Sequence, residues 1–207
     1  MKVLHIDASV RSQGSTSREM SAFFLDELRA NGVELEIDRL DLAETPPNHF
    51  GPVQTDAMYL PIEDHTPEMA EALSQSNALV DRVLAADALV IGVPIYNFGA
   101  PSAFKAFLDN ISRSGRTFAY TETGLVGHLS DKKIVVLESA GGNYREGAMF
   151  AGLDCLSPHV KAIFNFLGAQ PEIILTHPTM FEGPEMKDTA IGEAKEAARA
   201  VAKAWAA

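Results

Sequence analysis

The chain has 207 residues, 46% of them hydrophobic and 22% charged, which is enough apolar material for one substantial core and too little charge bias for global disorder. A net charge of −11 excludes a general affinity for nucleic-acid backbones or anionic membrane surfaces, but not a locally held anion. The lone cysteine, Cys155, excludes an intrachain disulfide, and no stretch approaches the roughly 18 apolar residues of a membrane span. The opening MKVLHIDAS has no apolar signal region and runs straight into a strand pattern. A cytoplasmic protein forming a single domain over residues 1–207 is therefore expected.

In chain order, residues 2–7 read as a strand and 8–16 as a serine-rich loop. Residues 17–31 have a helical period, with Met20, Phe23, Phe24 and Leu28 on one face and Gly32 just beyond the end. Residues 33–39 alternate as a half-exposed strand. Residues 40–65 hold four prolines and no period, a long excursion of the kind that often carries function. Thr66-Pro67-Glu68 has the form of a helix start, and that helix should run to about Ala86. Residues 88–93 are apolar throughout, a strand buried on both faces. A helix over 101–112, a short hairpin over 117–126 and a strand over 132–138 follow. After a glycine-rich turn a helix ends near Leu167, a last core strand spans 172–177, and an alanine-rich helix spans 184–205. Strands alternating with helices imply a parallel sheet covered on both faces, in a doubly wound fold of either dinucleotide-binding or flavodoxin-like order. In both orders ligands sit beyond the carboxyl ends of the strands.

Three of those strand-end loops carry unusual residues. The first, DASVRSQGSTS (7–17), places Ser9, Ser15, Thr16 and Ser17 where a helix begins, and a helix N-terminus with spare hydroxyls suits a phosphate. A capping box of Thr16 with Glu19 accounts for only one of those hydroxyls. The loop has neither a G-K-[ST] ending nor G-x-G-x-x-G, which favours the flavodoxin-like order 2-1-3-4-5 over the dinucleotide-binding one. The second loop, Pro94-Ile95-Tyr96-Asn97-Phe98, offers flat side chains and an amide between stiffening prolines. The third, Ser139-Ala140-Gly141-Gly142, allows a ligand close to the backbone. Order 2-1-3-4-5 makes strands one, three and four neighbours, so the loops meet at one place that suits a flat phosphorylated ring such as FMN. The six histidines show no metal-ligand spacing, so no metal site is expected, and no G-x-S-x-G points to a serine hydrolase.

With Ser9 and S-T-S at 15–17, P-I-Y-N-F at 94–98, S-A-G-G at 139–142 and F-A-Y-T-E at 118–122, the chain resembles the FMN-dependent NADH azoreductases and quinone reductases of bacteria over nearly its whole length. The resemblance implies an α/β flavodoxin-like fold with a five-stranded parallel sheet and helices on both faces. It implies non-covalent FMN, with the first serines on the phosphate and the other two loops on the ring. NADH would be the donor, with NADPH possible, in a ping-pong cycle that passes two electrons to a quinone or, in two rounds, cleaves an azo compound to amines. It further implies a homodimer with the site at the interface, and Phe118 and Tyr120 are expected on the substrate side. No residue stands out as a catalytic acid or nucleophile, since the flavin carries the chemistry. The Asn97 amide and the Gly141 and Gly142 N–H groups are expected to tune it. A flavodoxin-like electron carrier serving a protein partner is the alternative. Ile95 and Ala140 depart from the Met and Arg common in relatives at these positions.

Overall fold

The computed structural model describes residues 1–207. The chain runs β1 (Lys2–Asp7), α1 (Thr16–Ala30), β2 (Glu36–Asp41), α2 (Pro52–Met58), α3 (Pro67–Ala72), α4 (Ser74–Ala85), β3 (Ala88–Pro94) and α5 (Ser102–Ile111). It continues with β4 (Phe118–Thr121), β5 (Gly124–Gly127), β6 (Lys133–Ser139), α6 (Ser157–Phe166), β7 (Glu172–Thr176) and α7 (Pro184–Ala206). Five strands form one parallel sheet in the order β2-β1-β3-β6-β7, while β4 and β5 form a separate antiparallel hairpin. With the hairpin counted apart, this is the 2-1-3-4-5 order read from the sequence.

Side chains along the central strand β3 alternate between two cores, as a pleated strand buried on both faces requires. Leu89, Ile91 and Val93 face the larger cluster, with Leu79 and Val83 of α4, Phe104 and Phe107 of α5, and Phe164 of α6. Ala88 and Val90 face the smaller one, with Met20 and Phe24 of α1 and the alanines 194, 198 and 202 of α7. Trp205 closes that side, edge-on to Phe24 at 5.1 Å between ring centroids.

Three elements differ from the sequence reading. β2 begins at Glu36 rather than residue 33, because Gly32 takes φ +84° and the Val33 N–H returns to the Leu28 carbonyl at 3.1 Å. Residues 31–33 thus terminate α1 before any strand can start. The helix expected from Thr66 to Ala86 does start there, with Thr66 Oγ1 accepting from the Met69 N–H at 3.2 Å, but it divides at the buried Leu73. Its first half packs on α2 and its second on α5, so the two halves follow different partners. The 40–65 excursion is not structureless: it holds α2 and a 3₁₀ turn at Ile62–Asp64. No helix is long and apolar enough to cross a membrane.

Candidate functional site

The carboxyl ends of β1, β3, β6 and β7 open into one cleft of about 530 Å³, a size typical of small-molecule sites. Its first wall is the loop before α1. Ser15 is the N-cap of α1 in extended backbone, yet its hydroxyl makes no capping bond and lies 3.3 Å from Ser17 Oγ. The capping box of Thr16 with Glu19 therefore does not form. The first helical bond runs from the Glu19 N–H to the Ser15 carbonyl at 3.0 Å, which leaves the preceding amides free at the positive end of the helix. Glycine at 92 brings that end over the sheet: a Cβ there would stand 2.7 Å from the Ser17 carbonyl oxygen and 2.9 Å from Ser21 Oγ. Arg11 and Gly14 complete this wall.

A buried ionic network holds the wall from beneath. Arg18 reaches Asp41 at 2.5 and 2.8 Å and Asp7 at 3.3 Å, and it donates to the Ser9 carbonyl at 2.6 Å. Ser21 Oγ bridges His5 Nε2 at 2.9 Å and Asp7 at 3.1 Å. Burial alone would raise Asp7, but His5, Arg18 and Ser21 outweigh it and hold the carboxyl below its ordinary value. The Arg18 hydrogen bond likewise depresses Asp41. With its backbone fixed, Ser9 turns its hydroxyl to Tyr96 OH at 3.2 Å, which joins the first wall to the second.

The second wall is a tight turn, Tyr96–Gly99, closed by Tyr96 N–H to Gly99 O at 2.9 Å and Gly99 N–H to Tyr96 O at 3.0 Å. Asn97 (φ +48°) and Phe98 (φ +72°) occupy its centre, as a type I′ turn demands. A bulky residue in the left-handed region stores on the order of 1 kcal/mol or more of strain, and such strain persists where surrounding contacts fix it. Here the fixing contacts are the Cys155 N–H on the Phe98 carbonyl at 2.9 Å and the Ile95 N–H on the Ser139 carbonyl at 2.8 Å. The result is a Phe98 ring still 45% exposed beside the cleft.

The third wall is the end of β6, laced to the loop after β7. Thr179 N–H and Oγ1 both donate to the Ala140 carbonyl at 2.9 Å, and the Met180 and Phe181 N–H groups donate to the Gly141 carbonyl at 3.1 and 3.0 Å. Glycine at 142 lets the Phe150 ring lie close: a Cβ there would come within 2.7 Å of that ring and require it to move. The Gly141 and Gly142 N–H groups are engaged by no other protein group. Tyr144 lines the same wall and donates its N–H to His177 Nδ1 at 3.2 Å. Burial pushes His177 down to about 4, so the ring is neutral and carries its hydrogen on the buried, unpartnered Nε2.

Every residue of the three loops named from the sequence as cofactor-binding lines this cleft except Ser17, which is fully buried in the first turn of α1. Phe118 and Tyr120 do not line it. Phe118 packs into the core against Phe166 at 4.7 Å, and Tyr120 stands 74% exposed on the hairpin. Sequence reasoning missed Arg11, Gly14, Tyr144 and the Thr179–Phe181 strap. The rule that ligands gather past carboxyl ends of strands applied equally to β7, and HPTMF (177–181) follows that strand directly.

A family model for the flavodoxin-like fold matches residues 1–202. A protein of Nostoc punctiforme named FMN-dependent NADH:quinone oxidoreductase is 36% identical over 205 residues, covering 99% of this chain and 100% of its own. One of Chromobacterium violaceum with the same name is 37% identical, covering 95% of this chain and 97% of its own. Among solved structures, an azoreductase from Bacillus anthracis str. Sterne superposes with a TM-score of 0.89 at 27% identity, over 99% of each chain. An FMN-dependent NADH-azoreductase from Bacillus anthracis str. Ames Ancestor, solved in complex with FMN, gives 0.83 at 27% identity over 97% of this chain and 99% of its own.

Proposed function

The chain belongs to the flavodoxin-like family of FMN-dependent NADH:quinone oxidoreductases, and from that membership we propose how its cleft performs the reaction. The observation that carries the reading is the convergence in one cleft of an uncapped helix N-terminus, a strained aromatic turn and a glycine pair with free N–H groups. These features fit FMN at both ends. FMN held there would supply the redox chemistry, acceptance of a hydride from NADH, or NADPH, and transfer of two electrons to a quinone or, in two rounds, to an azo bond.

The residues supply position and electrostatics. The first amides of α1 and the hydroxyls of Ser9, Ser15 and Thr16 hold the phosphate, and Ser17 contributes its backbone rather than its side chain. Pro94 and Ile95 lead into the turn whose Tyr96 and Phe98 present flat surface to the ring. With FMN bound, the Asn97 amide and the Gly141 and Gly142 N–H groups would supply donors to the negative charge that gathers on reduction. Donor and acceptor use the same open side in turn, a ping-pong order. A second copy of the chain would cover that side: Phe98, Met180 and Phe181 line the cleft and are 45%, 60% and 70% exposed, apolar side chains that such a partner would take out of water. Tyr120 then acts on substrate from the partner, whereas Phe118 supports it edge-on from the core at 5.7 Å.

The test is to load the protein with FMN, bleach the flavin absorbance with NADH, and restore it with a quinone or an azo dye. Parallel double-reciprocal plots are expected for the steady state, and sedimentation should give a dimer. A flavin absorbance left intact by both nicotinamides would replace the enzyme with an electron carrier.

A further inference from the structure

Glu138 is an acid in an apolar row. In register across the sheet it lies between Val93 of β3 and Leu175 of β7, one residue before the cleft-lining Ser139. It is fully buried, with no exposed surface. Oε2 accepts from the Ser157 hydroxyl at 2.9 Å, and Oε1 has no partner at all. A buried carboxylate left half-unsatisfied is costly, whereas the neutral acid is tolerated.

Asp154 of the loop after β6 and Ser157 and Lys161 of α6 act on it directly, and Tyr144 of the same loop stands near it, with Cys155 beside Tyr144 and His177 beyond β7 accepting the Tyr144 N–H. Asp154 Oδ1 accepts the Leu156 and Ser157 N–H groups at 2.9 and 3.0 Å. Tyr144 reaches from this cluster to the cleft wall.

We propose that Glu138 is a positioning residue that sets the charge behind the flavin loop: as the neutral acid it lets the Ser139–Gly142 wall face a negatively charged ring, and as the carboxylate it opposes that charge. Burial, then the nearby Asp154 carboxylate, pushes Glu138 up to about 7, while Ser157 and Lys161 pull the other way. The crossover therefore falls in the physiological range. Hydride delivery from NADH adds two electrons and one proton to the ring, leaves one extra negative charge on it, and releases oxidised nicotinamide. An ionised Glu138 makes that product less stable, so the FMN midpoint potential should drop more steeply with pH than the flavin alone would require.

This rests on FMN occupying the cleft, so the experiment begins by measuring FMN binding to the wild-type protein. Loss of binding there would overturn the functional reading and this inference together. With FMN bound, spectroelectrochemical titrations from pH 5.5 to 9 compare the wild type with Glu138→Gln. The two potentials should coincide at acid pH and diverge above about pH 7, with the wild type lower. Parallel curves over the whole range would overturn the inference and leave the FMN reading intact. Should Glu138→Gln fail to fold or to hold FMN, carboxyl ¹³C shifts of glutamate-labelled wild-type holoprotein decide the matter, with Ser157→Ala identifying the Glu138 signal. Titration near neutrality supports the proposal, and a fully buried glutamate that titrates in the ordinary acid range overturns it.

Discussion

At φ +48° Asn97 holds a conformation that a short polar side chain tolerates, while Phe98 at +72° gains nothing local from its own. The pair separates backbone effects from chemical ones. Asn97→Ala should cost about 1 kcal/mol in urea unfolding, because alanine resists the left-handed region, and should lower the FMN midpoint potential through loss of the amide. Asn97→Gly should keep the turn and the stability but lower the potential equally. Equal potentials in wild type and both variants would remove Asn97 from the chemistry. Ser15 allows a similar separation. Its hydroxyl makes no cap bond, so Ser15→Ala should shift apoprotein stability by less than about 0.5 kcal/mol. The same change should weaken FMN binding about tenfold by titration, the loss of one hydrogen bond to a charged group.

Between elements, the site depends on how closely α1 lies on β3. A methyl at position 92 would meet backbone at 2.7 Å, and backbone cannot turn aside as a side-chain tip can. Gly92→Ala should therefore lift the first turn of α1 off the sheet. We expect a loss of about 1–3 kcal/mol in denaturant unfolding, and weaker FMN binding although no lining residue has changed. A crystal structure of the variant with α1 unmoved would refute this account. The strap after β7 shows the same dependence from the other side: four donors from Thr179, Met180 and Phe181 close on two carbonyls of the β6 loop.

Over the whole molecule, stability should depend on pH through groups with opposite signs. Glu138, raised from 4.5 to about 7 in the fold, contributes stability that is complete below pH 4.5 and lost as pH rises to 7. His177, lowered from 6.5 to about 4, contributes stability that is present above pH 6.5 and lost as pH falls towards 4. Asp7 and Asp41, both depressed, add stability above the ordinary carboxylate value that disappears as pH falls through their lower folded values. The first two nearly oppose one another in mildly acid solution. Removing Glu138 as glutamine should unmask His177, so the denaturation midpoint of Glu138→Gln should climb from pH 4.5 to 6.5 while that of the wild type stays flatter.

The order of the sheet and the meeting of three loops were legible in the chain itself. Apolar runs at 88–93 and 132–138, separated by helical periods, leave few ways to cover a parallel sheet, and the loops that lack glycine fingerprints narrow them further. Ser9, Tyr96 and Gly141 could be placed together because strand order fixes which carboxyl ends are neighbours. Other features depend on contacts between residues far apart in the chain. Nothing local shows that Ser15 caps without bonding, that Ser17 is buried against Gly92, or that Phe118 turns into the core while Tyr120 faces solvent. Glu138 reads as the polar end of a strand until Val93 and Leu175 flank it. Periodicity reports which face a residue takes relative to its own element. Burial, orphaned polar atoms and shifted protonation are set by what the neighbouring elements bring against that face, and that is decided only when the layers close.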